Sequence, residues 1–210
     1  MVDSGATPSA RQTELLEAAY RYVLAHGLGE MSLRPLAAAI GTSPRVLLYL
    51  FGSKDGLVRA LLARARAEEL AQLSAVHASA TGETEDRLPQ VVAVLWGWLA
   101  EPSRRSLLTL WLEGYVRSLV EPAGPWADFA RETVEDWLEV LSAAQPPRVR
   151  DTSEGRAERT RALAVLRGAL IDLLATGDTD RVNAAVRSQF GGRTGGRAGV
   201  ASAPAGAPGE

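Results

Sequence analysis

Apolar residues recur three and four positions apart along most of this chain, and in no stretch do they alternate with polar ones as a half-buried strand requires. In "ELLEAAYRYVLAHG", Leu15, Leu16, Ala19, Tyr22 and Val23 form one stripe, and Gly27 offers a left-handed stop directly after His26. The spacing predicts a helix over 9–26. The same period predicts helices over 57–77, 86–100, 103–120, 125–143, 154–176 and 178–190, separated by turn-rich stretches such as "TGETED", "VEPAGP" and "AQPPRVRDTS". Of the last 20 residues, 14 are glycine, alanine or proline, too little apolar surface to offset the entropy of ordering. Residues 191–210 are expected to form a disordered tail, and 1–10 a disordered start. The fold class is all-α.

The stretch "SLRPLAAAIGTSPRVLLYLFGSKDGL" from Ser32 to Leu57 breaks this rhythm three times. Ser32 can cap a helix beginning at Leu33, where Pro35 is tolerated because a first-turn residue has no helical partner for its missing N–H. Gly41 ends that helix, Ser43 caps the next, and Pro44 takes its first position, so the turn is a three-residue corner. Gly52 and Ser53 then stop the second helix before Lys54 opens another. A corner of this kind is compatible with a DNA-reading helix-turn-helix and with a plain junction between buried helices. Leu36, Ala37, Leu47 and Phe51 read as the small core that holds the second helix in place.

The whole order of parts, from the opening helix through this double corner to a C-terminal "RGALIDLLATGDTDRVNAAV", resembles the TetR family of one-component bacterial transcription regulators. The resemblance is specific over about residues 15–62 and returns near the C-terminus. It implies an N-terminal three-helix helix-turn-helix DNA-binding domain over 11–56 and a helical ligand-binding and dimerisation domain over 57–190. It also implies a homodimer on a palindromic double-stranded DNA operator, acting as a repressor released by a small-molecule effector. Carried across, residues 44–50 become the recognition helix, Thr42, Ser43, Arg45 and Tyr49 face DNA, and Lys54 meets a phosphate. The residue types suit those roles, since arginine can read guanine bidentately and a lysine at a helix start is a compact phosphate partner. Two positions depart from the family: Leu48 stands where an aromatic phosphate contact is usual, and Leu50 where histidine or tyrosine often precedes the final phenylalanine. Neither leucine can donate to a phosphate; Tyr49 takes over, or affinity is lower. The first sixty residues hold six basic and five acidic side chains, so the electrostatic footprint is modest and binding should depend on paired modules.

All five tryptophans fall between Trp96 and Trp137, on three successive predicted helices. Aromatic rings at helical spacing usually build a core. Trp96 and Trp98, two apart, must point in directions about 200° different, so both cannot serve the same core. The alternative is an effector pocket, expected at Trp96, Trp98, Trp111, Tyr115, Trp126 and Phe129. The family resemblance favours that alternative. Few polar groups accompany the stripe beyond Tyr115, Glu113 and Thr109, so the expected effector is apolar or aromatic rather than a charged metabolite.

Near the C-terminus "LAVLRGALIDLL" is apolar on almost every side, which requires burial on two faces, one against a partner or both within a monomer. Gly168 costs about 1 kcal/mol inside a helix and is read as a point of close helix approach. In the family the last two long helices form a four-helix bundle across a twofold axis. The expected dimer residues are Leu163, Leu166, Gly168, Leu170, Ile171, Leu174, Val182 and Val186.

Composition narrows the function classes. Hydrophobic residues at 46% and charged residues at 23% fit a globular protein, and a net charge of −2 argues against a general nucleic-acid coat. No cysteine is present, so there is no thiolate metal site, and no signal peptide or spanning segment is apparent; the expectation is a cytoplasmic protein without membrane contact. Only His26 and His77 could act as histidine bases or ligands, and neither has acidic partners at metal-binding spacing. Glu132, Glu135, Asp136 and Glu139 read as a solvated helix face. No phosphate loop or nucleophile elbow is found, so neither an enzyme nor a cofactor is expected. The alternative function is a helical ligand carrier, or an architectural DNA-binding protein without effector control.

Overall fold

The computed structural model describes residues 9–29, 31–80 and 87–190, with side chains left aside at 76–80. The expected disorder at 191–210, and at 1–8 of the start, lies outside the described residues, as does the side chain of His77. Ten α-helices and no strand are found among the described residues. They are α1 (Ala10–His26), α2 (Leu33–Ala39), α3 (Pro44–Phe51), α4 (Lys54–Ala80), α5 (Leu88–Leu99), α6 (Arg105–Val120), α7 (Phe129–Ala143), α8 (Pro147–Arg150), α9 (Ser153–Thr176) and α10 (Thr179–Phe190).

Most boundaries follow from local chemistry. The Ser9 hydroxyl accepts from Gln12 N at 3.1 Å to open α1, and Gly27, at φ +81°, closes it. Gly41 and Gly52, at φ +67° and +77°, turn the chain out of α2 and α3 in a region that penalises any side chain. Ser43 caps α3 by accepting from Val46 N at 3.3 Å, with Pro44 in the first turn. Ser32, expected to cap α2, makes no capping bond with its side chain. Ser53 caps α4 at Gly56 N (2.9 Å), so α4 starts three residues earlier than its apolar period indicates. Helix α7 begins at Phe129 rather than near Pro125, because residues up to Asp128, itself left-handed at φ +64°, form turns. The short α8 occupies a segment that reads as linker.

Helices α1 to α3 pack against the start of α4 around Leu36, Ala37 and Leu47, all fully buried, with Phe51 half-buried beside them. Arg64 ties α4 to α1, pairing with Glu17 at 2.6 Å and lying 4.7 Å over the Tyr20 ring. Burial, with Glu68 beside it, pushes the Tyr20 hydroxyl pKa up. The rest of α4 runs into a bundle with α5, α6, α7 and α9, and α10 closes over α5 and α9. Buried Gln145 secures the α7–α9 corner, donating to Gly155 O at 2.9 Å and accepting from Arg159 at 3.0 Å. The acidic face of α7 is only partly solvated. Glu132 and Asp136 both pair with Arg66 of α4, while Glu135 and Glu139 are exposed. Periodicity could not show this, because the partner is 66 to 70 residues away.

Candidate nucleic-acid interface and a buried chamber

Helix α3 is anchored by buried Leu47, with Pro44, Leu50 and Phe51 half-buried, and turns Arg45, Val46, Leu48 and Tyr49 outward. Arg45 is exposed and Tyr49 is 85% exposed, an unusual position for a tyrosine in a folded core module. Ser43 and Lys54, at the two flanking helix starts, are exposed too, and Thr42 is half-buried. Ser43 has a second task, since its hydroxyl caps α3. Leu48 is 41% exposed on the same surface, whereas Leu50 is half-buried and its carbonyl accepts from Gln12 of α1 at 3.1 Å. Between Met31 and Lys54 the chain contains Arg34, Arg45 and Lys54 and no acidic residue. With exposed Asp55 directly after Lys54, the excess of positive charge over the double corner is modest.

A half-open chamber with about 20 Å3 of free space lies between α4, α5, α6, α7 and α9. That is room for about one water, far below the several hundred Å3 of a typical ligand site. Leu107, Leu108, Leu166 and Leu170 supply apolar wall, and Trp98, Trp111 and Trp137 supply three indoles. The surface open to this space is almost wholly apolar, but two charged residues stand in its wall. Glu69 of α4 is 5% exposed and accepts a hydrogen bond from Trp137 Nε1, while Arg167 of α9 donates to the Tyr115 hydroxyl at 3.2 Å and lies 5.0 Å over its ring. Burial raises the Glu69 pKa to about 7 against the pull of the Trp137 bond, and burial lowers that of Arg167. Glu69 Oε2, Trp98 Nε1, Trp111 Nε1 and Arg167 Nη2 are buried without a hydrogen-bond partner. Trp111 Nε1 lies within hydrogen-bonding reach of the Glu69 carboxylate and favours its charged form, although the contact falls short of a well-formed hydrogen bond.

Of the six expected pocket residues, Trp98 and Trp111 line this chamber, and Tyr115 stands behind it through Arg167. Trp96 points away and donates to Asn183 of α10 at 2.7 Å, a structural bond. Trp126 is buried under Arg117 at the α6–α7 turn, and Phe129 borders a separate surface cleft with Arg59 and Arg66. Glu113 also leaves the stripe. Its Oε2 accepts from Leu28 N at 2.9 Å, joining α6 to the loop between α1 and α2, and Thr109 is exposed. The expected shortage of polar groups is thus corrected by Glu69 and Arg167. Each had a signal: a carboxylate on the apolar stripe of Leu61, Ala65 and Leu73, and a lone charge within "LAVLRGALI". Trp137, left out of the expected pocket, lines this chamber.

At the C-terminal end Leu163, Leu166, Leu170, Val182 and Val186 are buried in the chain's own core, which removes them from the outer face where a partner could dock. Leu174 is half-buried against the same core, Ile171 is 50% exposed, and a Cβ at Gly168 would meet nothing within 4 Å. The outer face of α9 carries Ala157, Arg161, Ala164, Gly168, Ile171 and Ala175. Gly168 makes no close approach within one chain.

His26 is exposed, its Nδ1 2.8 Å from Tyr22 O, and no group of acidic or histidine residues among those described could hold a metal ion. No helix among the described residues is long and apolar enough to cross a membrane.

Residues 15–61, from α1 into α4, match the family model of bacterial regulatory proteins, tetR family. No curated protein matches the chain by sequence. Solved structures match most of its length. The multidrug binding protein EbrR complexed with imidazole is 26% identical, covering 86% of this chain and 89% of its own, with a TM-score of 0.62. SCO1917, a TetR-family member from Streptomyces coelicolor A3, is 24% identical over 87% of this chain and 99% of its own, with a TM-score of 0.65. A transcriptional regulator from Saccharomonospora viridis in complex with choline is 19% identical over 87% and 96%, with a TM-score of 0.68.

Proposed function

Because the chain belongs to the TetR family and is a DNA-binding transcriptional regulator, we propose that it works as a homodimeric repressor whose grip on a palindromic operator is released by a small molecule in the central chamber. In this reading α3 enters the major groove. Arg45 and Tyr49 reach base edges or the thymine methyl, Thr42 and Ser43 contact the backbone at the corner, and Lys54 neutralises a phosphate. Leu48, exposed beside Tyr49, can make only apolar contact there, so Tyr49 carries the polar contact that Leu48 lacks. Two copies meet through the outer face of α9 around Gly168 and Ile171, together with α10, which sets the separation of the two α3 helices.

The observation that carries the proposal is that α4 belongs to both parts. It starts at Lys54 beside α3 and reaches the chamber at Ala65 and Glu69, about 17 and 22 Å further along its axis. Helix α6 does the same from the other side, lining the chamber at Leu107, Leu108 and Trp111 and holding Leu28 N through Glu113. A ligand larger than a water must part these walls. Parting them shifts both attachments of the reading module, which moves the two α3 helices off the spacing of about 34 Å between successive major grooves. Release then follows because the ligand binds the parted state more tightly than the DNA-bound one. The ligands in the structures of EbrR and the Saccharomonospora viridis regulator support a small-molecule role for the same kind of bundle.

The test is selection from a random pool of duplexes by the purified full-length protein. Enrichment of a palindrome with half-sites about one helical turn or a multiple apart is expected. Selection that yields no sequence preference would sink the reading.

A further inference from the structure

The buried polar atoms left without partners are not scattered. Among the described residues there are four, and all belong to side chains that line the one chamber: Glu69 Oε2, Trp98 Nε1, Trp111 Nε1 and Arg167 Nη2. An unpaired buried donor or acceptor costs folding free energy, and native cores keep few of them. The space as it stands is faced almost wholly by apolar surface, so these four atoms meet an occupant only as the walls part, and they then define what it must bring. Three are N–H donors, one of them on a guanidinium that stays charged. They ask for an acceptor, and an anionic acceptor best.

We propose, resting on the reading of the chamber as the effector site, that it takes a flat aromatic monocarboxylate whose carboxylate is received by Arg167 and the Trp98 and Trp111 indole N–H groups. The ring lies among Leu107, Leu108, Leu166 and Leu170, in a site already walled by indoles. Glu69 completes the set in its protonated form. Its Oε1 accepts from Trp137, so a proton on Oε2 gives the fourth donor toward a carboxylate, which offers about four lone-pair sites. Charge decides between ligand classes. With Glu69 neutral and Arg167 charged, the chamber carries one positive charge, which one carboxylate cancels. A cation would add a second charge and would face three donors it cannot satisfy.

The neighbouring charges act on Glu69 in opposite directions, Asp136 favouring its protonated form and Arg167 its ionised form. Arg66 of α4 pairs with both Asp136 and Glu132 of α7, and Glu113 of α6 is turned to Leu28. From the elements around Glu69 this leaves Arg167 as the charged group lining the chamber with it. Binding an anion holds the proton on Glu69, so carboxylate affinity falls as pH rises through and above neutrality. A single flat ring needs a cavity of roughly 150 Å3, so the walls separate on entry. Trp98 is the half-exposed ring of the chamber's three, with Arg104 5.3 Å from its centre, and is the wall best placed to move.

Three isosteres test the proposal: 2-naphthoate, 2-naphthamide and 2-naphthylmethylammonium, titrated by calorimetry into the full-length protein, with melting temperature followed in parallel. Near pH 6, 2-naphthoate is expected to bind at least about tenfold more tightly than the ammonium compound, the equivalent of one charge-assisted hydrogen bond. The advantage should shrink near pH 8.5. Arg167→Met should reduce it below about threefold, and Trp98→Phe, which keeps a ring and removes the N–H, should weaken 2-naphthoate more than 2-naphthamide. An ammonium isostere that binds equally well, no binding by any of the three, or a carboxylate preference that survives both substitutions overturns the proposal. If Arg167→Met fails to fold, Trp98→Phe decides. DNA selection on the same preparation separates the two readings. Retained sequence-specific DNA binding without carboxylate preference overturns the ligand class alone, and lost DNA specificity overturns the regulator reading.

Discussion

At the scale of single residues, exposure and burial assign opposite consequences to side chains of similar chemistry. Arg45 and Tyr49 stand outside the core, so Arg45→Ala and Tyr49→Ala should leave stability within about 0.5 kcal/mol of the parent. Each should weaken operator binding by about 1–3 kcal/mol and relax preference at one base position. Lys54→Ala should weaken selected and scrambled duplexes alike and lower the salt slope by about one. Titrations of each duplex at several salt concentrations check all three. Glu69 is the inverse case. Its folded pKa, raised to about 7 mainly by burial, lies above the unfolded value of 4.5, so the folded state holds a proton that the unfolded state has released between those values. The contribution of Glu69 to stability is therefore full below about pH 4.5, falls as pH rises toward 7, and stays low above it, by up to about 3 kcal/mol. Glu69→Gln should flatten that dependence. Urea unfolding at about pH 5 and pH 8 measures it, and a parent-like slope in the variant would place the titration elsewhere.

At the scale of elements, α6 has two different neighbours along its length, and Glu113 is where the second begins. Leu28 is buried and its N–H is satisfied by the Glu113 carboxylate at 2.9 Å. Removing that acceptor leaves a buried donor unpaired, so Glu113→Ala should cost about 1–3 kcal/mol and speed hydrogen exchange at the Leu28 amide. Glu113→Gln keeps an oxygen in place and should restore much of both. Unchanged exchange at Leu28 in Glu113→Ala would show that α6 does not hold the loop through this bond. The close packing of the same helix appears at Gly114, where a Cβ would stand 2.9 Å from Leu62 Cδ2 and 3.1 Å from Phe129 Cε1. The α4, α6 and α7 surfaces meet there without room for a methyl, so a shift of α6 is felt by α4 rather than absorbed locally.

At the scale of the whole molecule, the proposed dimer depends on surface that one chain leaves uncovered. Gly168 has open space beyond it, so Gly168→Arg should preserve the single-chain fold and even gain up to about 1 kcal/mol in helix propensity. Across a twofold contact the same side chain would bring two guanidinium groups together without partners. Sedimentation should show monomers, and operator affinity should fall although α3 is untouched. A variant that remains dimeric would move the interface away from this face of α9.

The residues alone determined the helices and the double corner, because capping, glycine stops and apolar period act within a few positions: Ser43 and Pro44 start α3, Gly41 and Gly52 bound it, and Leu47 anchors it. The outward residues of α3 were named by the family resemblance rather than by these local rules. Tertiary structure decided which rings share a space. Trp96 and Trp98 differ by two positions, yet one bonds Asn183 of α10 and the other lines the chamber, and no local rule chooses between them. It also decided that Leu163, Leu166 and Leu170 serve the chain's own core and leave Gly168 and Ile171 outside, since a helix apolar on most sides does not record which side its own fold will cover. Above all it brought Glu69 and Arg167, 98 positions apart in the chain, to one cavity. Burial is a property of that packed arrangement, and burial is what turns two ordinary charged residues into the polar lining of the chamber.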